Sequence, residues 1–207
     1  MDKKKVAILV GSLRKGSFNR KMAMNMIQLA PQDLDLQIVE IGQLPLYNQD
    51  FDKSPPAEWI QFRDQIRTFD AILFVSPEYN RSLPAVLKNA IDVGSRPYGQ
   101  SVWDSRPAAV VTVSVGDIGG FGANHHLRQM LFFLNMPALQ QPEAYIGQGA
   151  GLFDEADAIK KQELRDYMST FLQKFSDFIQ KNQATPSMDP GKMKVTKIES
   201  PTQSPPQ

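Results

Sequence analysis

The sequence contains no cysteine, which excludes disulfide bonds, thiolate metal sites and thiol nucleophiles. It also lacks an excess of either charge, with 23 basic and 22 acidic residues and a formal net charge of +1. A chain with balanced charges has no overall field that would attract nucleic acid or an anionic membrane. We therefore expect neither nucleic acid nor a membrane among the partners of this protein.

Long apolar runs are missing as well. No uninterrupted apolar stretch approaches the roughly 18 residues that indicate a membrane-spanning helix. The run at residues 6–10 follows three lysines and faintly resembles a signal peptide, but it ends at Gly11 and is followed by Arg14 and Lys15. It is too short for the apolar region of a signal peptide. Together with the absence of cysteine, this predicts a cytoplasmic protein.

Histidine is scarce, and His125 and His126 are the only two in the chain. Adjacent side chains on a helix point in different directions, about 100° apart, so these two histidines are poorly placed to share a metal ion. No cluster of acidic residues and cysteine completes a metal site around them. The sequence therefore predicts no bound metal.

Strand patterns and helix patterns alternate five times along the chain. Short apolar or alternating runs that indicate strands cover residues 6–10, 34–41, 71–75, 108–115 and 144–146. Crossovers of the length found here imply parallel strands with right-handed connections. We therefore expect an α/β fold in three layers, with a doubly wound, five-stranded parallel sheet between two layers of helices.

The helix patterns define the extent of the domain. One helix is expected to start at the proline pair after Ser54, with Ser54 as its cap, and the last helix is expected over residues 155–180. Beyond Lys181 the chain is rich in Pro, Ser, Gln, Lys and Thr and has few bulky apolar residues. We predict one domain over residues 1–181 and a disordered or loosely attached tail over residues 182–207.

The loop at residues 11–20, Gly-Ser-Leu-Arg-Lys-Gly-Ser-Phe-Asn-Arg, joins the first strand to the first helix. The unpaired N–H groups and the positive dipole at the start of a helix favour an anion such as phosphate. Ser12, Ser17 and Asn19 add hydrogen-bond donors, and Arg14 adds a forked cation. The alternative is an ordinary turn in which Asn19 caps the helix.

The glycine spacing in this loop excludes two common nucleotide-binding motifs. The loop has neither the G-x-G-x-x-G pattern of dinucleotide-binding folds nor the Lys-Ser/Thr ending of a P-loop. No pair of residues suited to Mg²⁺ accompanies it, so phosphoryl transfer is disfavoured. A bound mononucleotide that keeps its phosphate fits this loop better.

Two further loops follow strands in the same way, at residues 77–82 and at the glycine-rich residues 116–122. In parallel sheets, ligands bind beyond the carboxyl ends of the strands, near the point where the strand order reverses. The three loops are therefore expected to meet at one edge of the sheet. For residues 77–80 the alternative is a plain turn that caps the next helix.

Taken together, these motifs resemble those of the NADPH-dependent FMN reductase family. The resemblance spans roughly residues 5–147 and depends on the loop at 11–20, on Pro-Glu-Tyr-Asn at 77–80, on Leu-Lys-Asn-Ala-Ile-Asp at 87–92 and on Gly119-Gly120. Within the family, both loops are most similar to those of soluble quinone and chromate reductases. The resemblance implies a flavodoxin-like sheet with strand order 2-1-3-4-5 and FMN as the cofactor.

The resemblance also implies which residues bind FMN. In the first loop, the residues implied to hold the phosphate are Ser12, Arg14, Ser17 and Asn19. Phe18, between two of them, is also implied to contact FMN. The residues implied to lie along the ring and the ribityl chain are Pro77, Glu78, Tyr79, Asn80, Ser114, Gly116, Gly119 and Gly120. Tyr79 and Arg81 are implied to line the substrate side. No catalytic acid or base is expected, because the flavin itself carries the chemistry.

The activity implied by the resemblance is that of an FMN-dependent NAD(P)H oxidoreductase. Electrons would pass from NADPH or NADH through FMN to quinones, free flavin or similar small acceptors by a ping-pong mechanism, with chromate and azo compounds as further acceptors in vitro. A homodimer or homotetramer is expected. The alternative is a flavodoxin-type electron carrier that docks to protein partners, although such carriers tend to be acidic and this chain is nearly neutral.

Overall fold

Five parallel strands form the centre of the structure, a computed structural model that describes residues 3–182. Their order is β2-β1-β3-β4-β5, and every neighbouring pair is parallel. This confirms the predicted flavodoxin-like sheet. The strands are β1 (Lys4–Val10), β2 (Leu34–Val39), β3 (Ala71–Ser76), β4 (Ala108–Val113) and β5 (Ala144–Ile146).

Helices cover both faces of this sheet and complete the three layers. One face packs against α1 and α5, and the other packs against α2, α3 and α4. All six residues of β3 and all six of β4 are buried, as expected for central strands that are covered on both sides. The helices are α1 (Phe18–Gln28), α2 (Ala57–Arg67), α3 (Ala85–Gly94), α4 (Phe121–Phe133) and α5 (Gln162–Lys181).

Two predictions about helix starts are wrong. The last helix begins at Gln162 and not at residue 155, because the Asp154 carboxylate accepts hydrogen bonds from the N–H groups of Ala156 and Ala158, both at 2.9 Å. Such bonds from a side chain to the backbone compete with helix formation. Ser54 does not cap α2 either, since the capping position is Pro56 and no side chain bonds to the helix start there.

The predicted tail lies outside the described residues, apart from Asn182, so the proposed domain boundary stays a prediction. No helix within residues 3–182 combines the length and apolar character needed to cross a bilayer. The same range contains no group of three or more histidine or acidic side chains arranged to hold a metal ion.

Candidate functional site

A cleft of about 180 Å³ opens where β1, β3 and β4 end. Its lining residues are Ser12, Arg14, Ser17, Phe18, Asn19, Pro77, Glu78, Tyr79, Val113, Ser114 and Val115. All of these except Val113 and Val115 belong to the set named from the sequence. The fold thus brings the first two loops and Ser114 together, whereas Asn80, Arg81, Gly116, Gly119 and Gly120 lie outside this lining.

The amino end of α1 contributes the polar part of the cleft. Ser17 caps the helix, since its Oγ accepts a hydrogen bond from the N–H of Arg20 at 3.2 Å. Within the described part of the chain, the N–H groups of Phe18 and Asn19 have no acceptor. These open donors and the positive end of the helix dipole make this position suitable for an anion.

Arg14 lies beside this helix start and is held there by an aromatic contact. Its guanidinium carbon is 5.6 Å from the centroid of the Phe18 ring, in a cation–π arrangement. The Phe18 ring is itself stacked on Phe153, with 6.5 Å between centroids. Among residues 3–182, no carboxylate forms an ion pair with Arg14. The guanidinium is therefore available to a negatively charged ligand at the cleft.

The Asn19 side chain is committed to the backbone of β4. Its Nδ2 donates to the carbonyl oxygen of Val113 at 3.0 Å, and its Oδ1 accepts from the N–H of Val113 at 3.2 Å. The Asn19 side chain is therefore not the cap of α1, a role that Ser17 has instead, so the residue that the capping alternative names is wrong. This buried amide joins α1 to the end of β4, and the main-chain N–H of Asn19 remains as the donor at the cleft.

The second loop forms a tight hairpin that we name the Tyr79–Ser82 turn. Tyr79 and Ser82 each donate an N–H to the carbonyl oxygen of the other, both at 2.9 Å. Between them, Asn80 and Arg81 have left-handed φ angles of 50° and 65°, as a two-residue type I′ turn requires. The turn therefore places Asn80 and Arg81 at an exposed tip and Tyr79 at the wall of the cleft.

The glycines of the third loop shape the start of α4. Gly119 has a φ of 66°, and a Cβ there would lie 2.4 Å from the carbonyl carbon of Tyr145 in β5. Gly120 has a φ of 81°, and its Cβ would lie 2.9 Å from the Cβ of Thr112 in β4. Gly116, by contrast, has open space around it. Gly119 and Gly120 thus let α4 begin directly against the sheet.

The remaining wall of the cleft comes from residues 113–115. Ser114 Oγ donates to the carbonyl oxygen of Gly116 at 3.1 Å, which keeps this hydroxyl near the loop backbone. Val113 and Val115 also line the cleft, which the sequence interpretation missed because valines at the end of an apolar strand are typical of a buried core. Val115 is exposed in the structure, but this exposure could not be recognised from the sequence.

Both histidines contact residues outside the cleft lining. Nδ1 of His126 is 2.9 Å from the hydroxyl oxygen of Ser82, and Nε2 of His125 is 3.1 Å from the hydroxyl oxygen of Tyr145. Burial, and secondly the nearby Glu143 carboxylate, raise the pKa of Tyr145 to about 12. Tyr145 is therefore a neutral phenol at physiological pH, and its hydroxyl can donate a hydrogen bond to Nε2 of His125.

Comparison with known proteins agrees with this geometry. A family model described as NADPH-dependent FMN reductase matches residues 4–151 of this chain. The chain belongs to the NADPH-dependent FMN reductase family. The matched range includes all three loops and the whole sheet.

Relatives of this family align along most of their length. A quinone reductase of Pseudomonas putida is 56% identical over 180 residues, which is 86% of this chain and 96% of that protein. A 2-hydroxy-1,4-benzoquinone reductase of a Burkholderia species is 44% identical over 175 residues, which is 84% of this chain and 96% of that protein. The solved structure of FerB, a flavoenzyme NAD(P)H:(acceptor) oxidoreductase of Paracoccus denitrificans, is 38% identical with a TM-score of 0.82, and the match covers 87% of this chain and 100% of FerB.

The cleft fits the cofactor of this family. FMN combines a phosphate with a flat aromatic ring, and the cleft combines an open helix start beside Arg14 with surface from Pro77, Tyr79 and Val115. Backbone N–H groups in tight loops suit a ring that gains negative charge on reduction, because they stabilise charge without adding a competing acid. The protein is accordingly an FMN-dependent oxidoreductase that uses a nicotinamide as its electron donor.

Proposed function

We propose that this protein transfers electrons from NADPH or NADH to quinones through FMN held in the cleft. The proposal rests on three features that meet in one cleft: the open start of α1, an Arg14 that pairs with no carboxylate of residues 3–182, and the half-exposed ring of Tyr79. The first two suit a phosphate, and the ring offers a surface to flat substrates. The 56% identity to a quinone reductase supports quinones as the acceptors.

The proposed FMN contacts divide between the two ends of the cleft. At the phosphate end they are the Arg14 guanidinium, the hydroxyls of Ser12 and Ser17, and the main-chain N–H groups of Phe18 and Asn19. At the ring end, the proposed contacts are Pro77, Tyr79, Asn80, Ser114 and the loop that contains Gly116, Gly119 and Gly120. When bound, FMN supplies hydride and electron transfer between a nicotinamide and an acceptor.

The residues of the cleft contribute binding and orientation to this reaction. Tyr79 presents a ring on which a nicotinamide or a quinone can stack, and Arg81 at the tip of the turn adds a cation near the same wall. Holding two flat molecules in register removes much of the entropic barrier to transfer. Because donor and acceptor would use the same wall, we propose that they bind one after the other, in a ping-pong mechanism.

A wall that selects for flat shape accepts many ligands. Binding of this kind depends on stacking more than on a fixed pattern of hydrogen bonds, so discrimination among aromatic acceptors is weak. We therefore propose that free flavin is also reduced, and that azo compounds are reduced in vitro. Chromate is not flat and cannot stack, so its proposed reduction in vitro is supported by the resemblance to chromate reductases alone.

Steady-state kinetics with both nicotinamides against quinones, FMN, chromate and an azo dye tests this proposal. We expect turnover with quinones at the highest kcat/KM, and parallel double-reciprocal lines when the nicotinamide and the quinone are varied together. Intersecting lines would contradict the ping-pong order. Absence of turnover with every acceptor would contradict the proposed function itself.

We also propose that the protein forms a homo-oligomer through the end of α4. Phe132 and Phe133 are 89% and 87% exposed there, and adjacent exposed aromatic rings are typical of an interface. The double substitution Phe132→Ser and Phe133→Ser is expected to reduce the molar mass measured by light scattering after size exclusion. Leu46→Ser, at another exposed apolar position, serves as the control and should leave the mass unchanged. An unchanged mass in the double variant would contradict this interface.

A further inference from the structure

The carboxylate of Glu78 is bonded to protein groups at both of its oxygens. Oε2 accepts a hydrogen bond from the main-chain N–H of Ala123 at 3.1 Å, and Oε1 accepts from the Arg81 guanidinium at 3.2 Å. The Glu78 side chain is only 11% exposed. Ala123 lies in the first turn of α4, where an unpaired N–H and the helix dipole both stabilise a carboxylate. Glu78 therefore acts as a cap on α4 from a distant loop.

The backbone of α4 approaches this carboxylate very closely. A Cβ at Gly122 would lie 2.7 Å from the carbonyl oxygen of Arg81 and 2.9 Å from Oε2 of Glu78. Only glycine leaves room for both atoms at that position. The hydroxyl of Ser82 and Nδ1 of His126, at 2.9 Å, form another contact one turn further along the helix. The Tyr79–Ser82 turn is thus fastened to α4 at several points.

The position of Tyr79 follows from these contacts. The turn is short and closed by two backbone hydrogen bonds, so it moves as one piece. Its orientation is then set by the contacts to α4 of Glu78, which directly precedes the turn, and of Ser82, its last residue. A free carboxylate beside the flavin ring would oppose reduction of the ring, because the ring gains negative charge. A carboxylate that is paired with Arg81 and with the start of α4 opposes this reduction less. This favours a structural use of Glu78 over direct contact with FMN.

We propose that Glu78 is a positioning residue, which fixes the Tyr79–Ser82 turn to α4 and so places Tyr79 at the substrate wall of the cleft. The proposal rests on the proposed function, since it concerns the binding of nicotinamide and quinone rings. It replaces the role as an FMN ligand that the sequence resemblance implies for Glu78. It also leaves the start of α1 as the place for the phosphate, because a protein carboxylate already occupies the start of α4.

The test compares Glu78→Ala, Glu78→Gln and Gly122→Ala with the parent protein. We expect Glu78→Ala to raise the KM for the nicotinamide and the quinone about tenfold, with kcat and the FMN dissociation constant changed less than about threefold. Glu78→Gln keeps an oxygen for the Ala123 N–H and should recover most of this loss. Gly122→Ala forces the helix and the turn apart and should shift the KM in the same direction.

Hydrogen exchange at the amides of Tyr79 and Ser82 provides a readout that does not depend on activity. Both N–H groups are bonded within the turn, and we expect their exchange to be faster in Glu78→Ala and Gly122→Ala, with or without FMN. Glu40→Gln is the matched control, because Glu40 also pairs with an arginine, Arg20 at 2.6 Å, but at an exposed position away from the turn. This variant should change neither exchange nor KM.

Three results would overturn the proposal. The first is an FMN dissociation constant raised tenfold or more in Glu78→Ala with unchanged exchange, which would make Glu78 an FMN ligand. The second is unchanged exchange and unchanged KM in both Glu78→Ala and Gly122→Ala. The third applies if Glu78→Ala does not fold: unchanged exchange in Gly122→Ala then decides against the proposal. A parent protein without turnover would contradict the proposed function alone, since the exchange comparison still tests the attachment of the turn.

Discussion

We expect the substitution Ser17→Asp to weaken FMN binding about a hundredfold while the fold stays intact. Aspartate caps helices as well as serine does, so it can accept the Arg20 N–H in place of the Ser17 hydroxyl. It also adds a negative charge at the lining of the cleft, beside the proposed phosphate position. Repulsion of about 3 kcal/mol between these charges corresponds to roughly a hundredfold in affinity. Fluorescence titration of the apoprotein with FMN measures the loss.

Riboflavin makes this test specific, because it has the same ring and no phosphate. Its affinity for Ser17→Asp should match its affinity for the parent protein within about threefold. Ser54→Asp is the matched control for charge, since it adds an aspartate before α2, outside the cleft lining. It should leave FMN binding unchanged. An equal loss of FMN and riboflavin affinity in Ser17→Asp would show that the phosphate does not lie at the start of α1.

The substitution Gly119→Ala is expected to lower the free energy of unfolding by about 3 kcal/mol. One part of this cost is the left-handed φ of 66°, which an L-residue with a Cβ adopts unfavourably. The other part is steric, because the new Cβ would lie 2.4 Å from a backbone atom of Tyr145 that cannot rotate away. Urea denaturation followed by circular dichroism measures the change.

Gly116→Ala is the matched control in the same loop. No atom lies within 4 Å of a Cβ at Gly116, and its φ does not lie in the left-handed region. Its free energy of unfolding should therefore stay within about 0.5 kcal/mol of the parent value. Equal losses in the two variants would show that the loop tolerates neither change, and that the contact between Gly119 and β5 is not the cause.

The fold follows from local patterns that a single sequence contains. In each strand, the apolar residues are the ones that are mostly buried. The strand β3, for example, is almost entirely apolar and is wholly buried, because helices cover both of its faces. The order of the sheet came from a resemblance, since alternation of strands and helices alone does not choose between strand orders. The start of α5 was predicted too early, because the competing bonds of Asp154 are a feature of the folded loop.

The meeting of the loops was predictable from the sequence, but the bonds of individual side chains were not. The loops meet where expected because they follow strands whose carboxyl ends lie at one edge. The resemblance implies that Asn19 and Glu78 bind FMN, which stays a prediction; no sequence pattern predicted that the Asn19 side chain bonds to a strand 94 residues away and that of Glu78 to a helix 45 residues away. A polar side chain in a loop offers the same signal whether its partner is a ligand or a distant backbone group. Only the folded structure separates the two.

Anaerobic mixing of the FMN-loaded protein with NADPH or NADH, followed by a quinone, tests the central claim most directly. The account predicts that the visible flavin absorption bleaches rapidly with the nicotinamide and returns when the quinone is added. It also predicts that Ser17→Asp loses this signal together with its FMN, while Ser54→Asp keeps it. A protein that binds FMN tightly and is bleached by neither nicotinamide would contradict the account and would favour an electron carrier.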